Sequence, residues 1–412
     1  MTRPSDDAGA LVSERDFPAG FLWGSSTAAH QVEGGNVAND WWAWEHTPGS
    51  TATEPSGDAI DHYHRYDADF ALLASLGHTA HRFSIEWSRV EPEPGQWSPA
   101  ALDHYRRVLE SLHTHGLTPF VTLMHFTVPR WFDARGAWLA PDAVDRFGDF
   151  CSRVVDALGD LVPWYCTINE PQIVALFGYL AGYHPPGRQN PLSWRRVTRT
   201  LRLAHERALD VIAAGPGQAQ AGISLQLPAL EPARPDDPSC VAAYEELERM
   251  MADAYLDGLR GDFVGVQYYT RMRVDPALPG LFARPPAGVP LTAMGWELHP
   301  DGFRQTLHKA ARSGLPIVVT ENGIATDDDT ERVAYLASHL EAVKQAMDEG
   351  ALVRGYHYWS SFDNFEWAEG YRPRFGLVGI DRAHGLARMP RPSAHAYARL
   401  ARTGQLAALS NP

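Results

Sequence analysis

Eight short apolar runs, each followed by a stretch with helical punctuation, restrict the fold of this chain more than any other feature. The runs occupy residues 21–25, 79–84, 119–124, 164–168, 220–225, 263–268, 317–320 and 353–359, and their starts fall 36 to 58 residues apart. They are apolar without alternation, as strands covered on both faces are. Between them, Ser98 before Pro99 reads as an N-cap followed by a proline in the first helical position. Leu102, Tyr105, Leu109 and Leu112 then recur at helical spacing until Gly116. Pro141 opens a second such stretch, with Val144, Phe147, Cys151, Val154 and Leu158 on one face before Gly159. Ile60, Tyr63, Tyr66, Phe70 and Leu73 give a third, ending at Gly77. Eight strand–helix units predict an α/β fold, a single (β/α)8 TIM barrel. The rival is a doubly wound open sheet, whose dinucleotide-binding version lacks its signature here, because no GxGxxG follows the first run.

The chain has 412 residues, more than a typical domain, yet α/β barrels routinely reach that size as one unit. One catalytic domain over residues 16–412 is expected. Residues 1–15 are too polar to pack and are expected to fray. Acidic residues outnumber basic ones by 50 to 36, for a net charge of −14. Nucleic-acid binding needs a clustered basic surface, so no nucleic-acid partner is expected. The same charge is repelled by anionic lipid, and no run approaches the roughly 20 apolar residues of a membrane span. The N-terminal stretch has no apolar core of a secretory signal. Three cysteines, Cys151, Cys166 and Cys240, cannot all pair and show no CxxC spacing. A reducing, cytoplasmic location without a cysteine-based zinc site is expected.

Two segments exceed simple connectors: 36–57 after the first strand and 270–300 after the sixth. Loops elaborated at the C-terminal face of barrel strands build active sites, so both are expected to shape the pocket. The strand ends there carry the chemistry. The fourth ends in Thr167-Ile168-Asn169-Glu170-Pro171, and the seventh in Val319-Thr320-Glu321-Asn322-Gly323. Arg82 lies on the second, His125 ends the third, and Gln267-Tyr268-Tyr269 ends the sixth. Either glutamate alone reads as a loop-top carboxylate; two, each beside an asparagine at a strand end, read as the pair that glycoside hydrolysis requires. His62 and His64 are two apart on a helix and face away from each other, so no metal site is expected there. Asp327-Asp328-Asp329 lacks the glycine and glutamate of a calcium loop and reads as a solvated turn before a helix.

From Phe17-Pro18-Ala19-Gly20-Phe21-Leu22-Trp23-Gly24 to Arg374-Phe375-Gly376, the chain resembles glycoside hydrolase family 1, the retaining β-glucosidase family. Its two most specific motifs are 167–171 and 319–323, with their glutamates 151 residues apart. The resemblance implies a retaining, exo-acting β-glycosidase acting on a terminal, non-phosphorylated β-D-hexoside, with Glu170 as acid/base and Glu321 as nucleophile. It also implies that Arg82 and Tyr269 support Glu321. Gln31, His125 and Asn169 would bind hydroxyls, and Glu366 and Trp367 the 4- and 6-hydroxyls. Trp359 would lie beneath the ring, and Trp296 would be the aglycone platform, with Phe375 in the last motif. The reaction implies no cofactor and no metal, and the partner is a small-molecule β-glycoside or oligosaccharide. The intact Glu366-Trp367 pair disfavours a 6-phosphosugar, because a carboxylate repels phosphate. A transglycosidase uses the same residues, and a non-catalytic sugar-binding barrel or a metal-dependent hydrolase are further alternatives.

The sequence departs from the family pattern at four places. Phe126 follows His125 where tryptophan is usual, Gln267 replaces an asparagine, His30 a tyrosine, and Glu86 a common serine. Loss of an indole donor at Phe126 implies relaxed discrimination at C3 or C4 of the sugar. The chain is short for the family, which implies trimmed entrance loops.

Overall fold

The computed structural model describes residues 15–278 and 280–409. Each apolar run becomes a barrel strand, with ends displaced by at most two residues. In order these are Leu22–Ser26, Ala80–Ser84, Thr118–Met124, Trp164–Asn169, Gln220–Gln226, Phe263–Gln267, Ile317–Asn322 and Val353–Tyr358. All pair in parallel with their sequence neighbours, and the first also pairs with the eighth, so the sheet closes. Closure excludes the open sheet. The barrel floor is an apolar cluster of Phe120, Cys166, Phe263 and Val318. Phe120 meets both Phe263 and His357 across the interior at 5.3 Å between ring centroids. Gly24 makes room for this layer: a Cβ there would lie 2.6 Å from the His357 ring. Above the floor the inward residues turn polar.

The outer helices bury the predicted faces. Ser98 Oγ accepts from the Ala101 amide at 3.2 Å and caps helix Pro99–Thr114, which buries Tyr105, Leu109 and Leu112. Helix Ala143–Leu158 begins two residues later than Pro141 suggests, because the chain at 141–142 is still in a turn. Phe147, Cys151, Val154 and Leu158 are buried, whereas Val144 is only half-buried. Helix His62–Ser75 likewise starts after Ile60, since Asp61 takes a left-handed conformation with φ of 57°. His62 and His64 therefore sit in its first turn. Each has its own carboxylate, His62 pairing with Asp69 at 2.8 Å and His64 with Asp61 at 2.6 Å.

The Asp327–Asp329 stretch is more structured than a solvated turn. Asp328 caps helix Asp329–Asp348 through the Thr330 amide, and Asp329 holds Arg332 and Ser393. Segment 270–300 opens with strand Arg271–Val274, which joins Ala229–Pro232 and Phe282–Ala283 in a small three-stranded sheet. The three cysteines are buried and unpaired. Among the described residues no helix is long and apolar enough to cross a membrane. The expectation for residues 1–15 falls, except for Arg15, outside the described residues.

Candidate active site

The fourth strand ends at Asn169, and the next residue breaks its course. Glu170 has φ of 45° and ψ of 57°, a left-handed conformation that non-glycine residues adopt at a cost of about 1–3 kcal/mol when the surroundings enforce it. Two neighbours enforce it here. The Glu170 amide donates to the Ser224 carbonyl on the fifth strand at 2.8 Å, and Pro171 immediately begins helix Pro171–Ala175. Glu321 stays on the seventh strand. Both carboxylates line one cavity of about 300 Å³ at the C-terminal mouth of the barrel, along with His125, Asn169, Tyr269, Trp359, Glu366, Trp367, Trp296 and Phe375.

The two glutamates are treated differently. Arg82, fully buried, donates to Glu321 Oε1 at 2.5 Å, and the Tyr269 hydroxyl donates to Oε2 at 2.6 Å. Among the described residues no hydrogen-bond donor reaches the Glu170 carboxyl. Burial pushes Glu170 well above the usual carboxylate range, and the charge of Glu321 pushes it further. Burial raises Glu321 too, but Arg82 and Tyr269 oppose it. Of the pair, Glu170 carries the stronger upward push, because Arg82 and Tyr269 hydrogen-bond to Glu321 and not to Glu170.

Asn169 orders a further set. Its Oδ1 accepts from Arg82 at 2.5 Å and from Gln267 at 2.8 Å. An arginine can only donate, so this fixes which end of the amide is oxygen. The Asn169 Nδ2 then donates to His125 Nε2 at 3.2 Å. His125 is held neutral by burial and by Arg82, so its proton lies on Nδ1, which has no partner among the described residues. Gln267, read from sequence only as a departure, is thus a buried support of Asn169.

Gln31 is anchored by its amide nitrogen to the Phe365 carbonyl at 2.8 Å and Asn364 Oδ1 at 3.1 Å, leaving its oxygen without a partner among the described residues. Burial, and then the charge of Glu321, push Glu366 up to about 8. His30 stacks under Trp367 at 5.8 Å and 13°, accepts from Asn39 at 2.9 Å, and lies 3.3 Å from Glu45. Trp296 packs on Tyr269 and Phe375, at 5.3 and 6.1 Å between ring centroids. Phe126 lines the cavity edge-on to Trp367 at 5.0 Å. Glu86 lies outside the lining and ties the second strand to the third, accepting from Ser88 and Thr127 at 2.8 and 2.9 Å.

The residue pattern has close matches among known proteins. The model of glycosyl hydrolase family 1 matches residues 13–274 and 262–405. This chain belongs to glycosyl hydrolase family 1. Beta-glucosidase A of Thermotoga maritima is 34% identical over 420 residues, covering 90% of this chain and 94% of that protein. Thermostable beta-glucosidase B of Thermobispora bispora is 38% identical, covering 95% of this chain and 91% of its relative. The structure of the Thermotoga maritima beta-glucosidase in complex with glucoimidazole superposes with a TM-score of 0.89 at 31% identity, covering 94% and 99% of the two chains. As a family 1 member the chain is an O-glycosyl hydrolase.

One expectation about the loops needs correction. Segment 270–300 supplies Thr270, Met272, Phe282, Met294 and Trp296 to the cavity, but segment 36–57 supplies none of its lining. That first segment buttresses the site instead: Trp41 packs on Trp367 at 4.7 Å, and Asn39 and Glu45 hold His30. Sequence reasoning missed the stretch after the fourth strand, where a π-helical turn, Leu176–Ala181, brings Leu176 and Phe177 to the mouth, followed by Tyr183 and His184. Its apolar residues resemble ordinary core at helical spacing, so no sequence signal marked them.

Proposed function

We propose that this enzyme is a retaining, exo-acting β-glycosidase that hydrolyses a terminal, non-phosphorylated β-D-hexoside by double displacement. The asymmetry of the two glutamates carries the reading: one carboxylate is clamped by two donors, while the other has none and keeps a proton. Glu321 attacks the anomeric carbon as Glu170 delivers its proton to the departing oxygen, so the glycosidic C–O bond breaks and a glycosyl ester forms. Esterification removes the charge that raised the pKa of Glu170, which therefore stays ionised and serves as base. It takes a proton from water, the hydroxide oxygen bonds to the anomeric carbon, and Glu321 is released.

The remaining residues form the sugar clamp. Asn169 serves the 2-hydroxyl, His125 donates from Nδ1, and Gln31 accepts through its unpartnered oxygen. Glu366 and Trp367 hold the 4- and 6-hydroxyl side, Trp359 lies under the ring, and Trp296 with Phe375 receives the aglycone. The intact Glu366-Trp367 pair, with no lysine or arginine among the described residues lining the cavity to hold a phosphate, argues for an unphosphorylated sugar. The catalytic domain extends over 16–412. The three unpaired, buried cysteines favour a reducing compartment, the cytoplasm. A panel of nitrophenyl β-glycosides tests the reading. Release of nitrophenol with retained configuration in the wild type, and its loss in Glu321→Gln, is expected; undiminished turnover in Glu321→Gln would end it.

A further inference from the structure

We propose that the outer half of the cavity selects an apolar aglycone, such as an alkyl, aryl or terpenoid alcohol, over a second sugar. This deepens the β-glycosidase reading and rests on it. The cavity divides by origin. Its inner wall consists of strand-end residues, among them His125, Asn169, Glu170 and Glu321, that present polar atoms. Its mouth is built from the excursions between strands, and these supply Leu176, Phe177, Met251, Met272, Phe282 and Met294.

A second pyranose carries hydroxyls all round its edge, each needing a partner when it leaves water. The mouth has few to offer. The Thr270 hydroxyl already donates to the Glu297 carbonyl at 3.1 Å. The Tyr183 hydroxyl donates to Glu369 at 3.1 Å, and Glu369 also pairs with Arg372. Burial holds His184 neutral, its pKa down to about 3, so its ring offers one donor and one acceptor. Gln226 Oε1 is a buried acceptor without a partner among the described residues, so His184 and Gln226 are two polar side chains set against six apolar ones at the mouth, short of the set that a pyranose edge needs. Three unbranched thioethers also adapt to varied apolar shapes, which suits alcohols of differing outline better than one fixed disaccharide. The rim that carries Met294 and Trp296 is firmly set, because the next residue, Glu297, is buried and clamped by Arg271 and Arg273.

The test uses the intact enzyme and the sugar whose nitrophenyl β-glycoside it cleaves fastest. With that sugar as glycone, kcat/KM is measured for the glycosyl fluoride, the methyl glycoside, the octyl glycoside and the β-1,4-linked disaccharide. The octyl glycoside is expected to exceed both the methyl glycoside and the disaccharide by at least about tenfold, since each buried methylene adds favourable transfer energy. Met272→Ser is expected to lower the octyl-to-methyl ratio about threefold, a ratio independent of how much enzyme folds. A disaccharide cleaved as well as the octyl glycoside, or no dependence on chain length, overturns the proposal while fluoride hydrolysis leaves the β-glycosidase reading standing. Failure to cleave any nitrophenyl glycoside or the fluoride overturns both.

Discussion

Arg82 and Glu321 form a buried ion pair at 2.5 Å although they lie 239 residues apart in the chain. The barrel alone brings them together, one from the second strand and one from the seventh. The guanidinium also holds Asn169, so a single cation orders a carboxylate and the amide beside Glu170. Removing one partner of a buried pair leaves the other uncompensated, at a cost of about 3–5 kcal/mol. Arg82→Met is therefore expected to lower kcat by at least about a hundredfold and to reduce the urea midpoint clearly. Near-normal kcat in a folded Arg82→Met protein would detach the pair from catalysis.

The pH profile follows from the two glutamates. Turnover needs Glu321 ionised and Glu170 protonated. Activity is lost as pH falls through the titration of Glu321 and as it rises through that of Glu170, giving a bell. The basic limb belongs to Glu170, which burial and Glu321 raise. In Glu170→Gln, assayed with a dinitrophenyl glycoside whose leaving group needs no proton, the basic limb of the first step is expected to vanish in pre-steady-state measurements. A limb that persists unchanged assigns it to another group.

Glu366 gives a stability prediction with a definite sign. Its folded-state pKa is raised to about 8 from an ordinary value near 4.5. Between those values the folded protein binds the proton that the unfolded chain releases, so wild-type stability falls as pH rises through that window. Glu366→Gln removes this term. Its Tm relative to wild type is expected to climb between pH 5 and pH 8 and then level off, as calorimetry across pH would record. A difference that is flat with pH would remove the buried, proton-holding carboxyl from the account.

How much of this was readable beforehand varies with the kind of signal. The barrel was legible because two-face burial writes each strand as an apolar run, and Glu170 and Glu321 were legible because strand-end motifs are local. Gln267 was not. Its value lies in reaching Asn169, 98 positions away, and a lone glutamine carries no sign of its partner. The start of helix Ala143–Leu158 was misplaced because a proline can end a turn as readily as open a helix. The part played by 36–57 was misjudged since length marks a loop as elaborated without saying whether it lines the cavity or props up Trp367.

Gln267→Ala should test the support it gives to Asn169. A roughly tenfold loss of kcat/KM is expected on a normal glycoside, with a much smaller loss on the matching 2-deoxyglycoside, which has no hydroxyl for Asn169 to hold. Equal losses on both substrates would mean that Gln267 acts elsewhere.

Phe126 bears on the choice of sugar. It meets Trp367 edge-on and carries no donor. Phe126→Trp restores an indole N–H to the glycone side of the cavity and is expected to raise the preference for glucoside over galactoside about three- to tenfold. An unchanged ratio, read from the two nitrophenyl substrates, would clear Phe126 of a part in discrimination.

The central claim is that Glu321 becomes covalently bonded to the sugar while Glu170 handles the proton. Incubation with a 2-deoxy-2-fluoroglycosyl fluoride, which slows release of the intermediate, followed by peptide mass spectrometry, tests it most directly. One fluorosugar on the peptide containing Glu321, absent in Glu321→Gln, is expected. A label on any other side chain, or turnover of the reagent with inversion and no label at all, would contradict it.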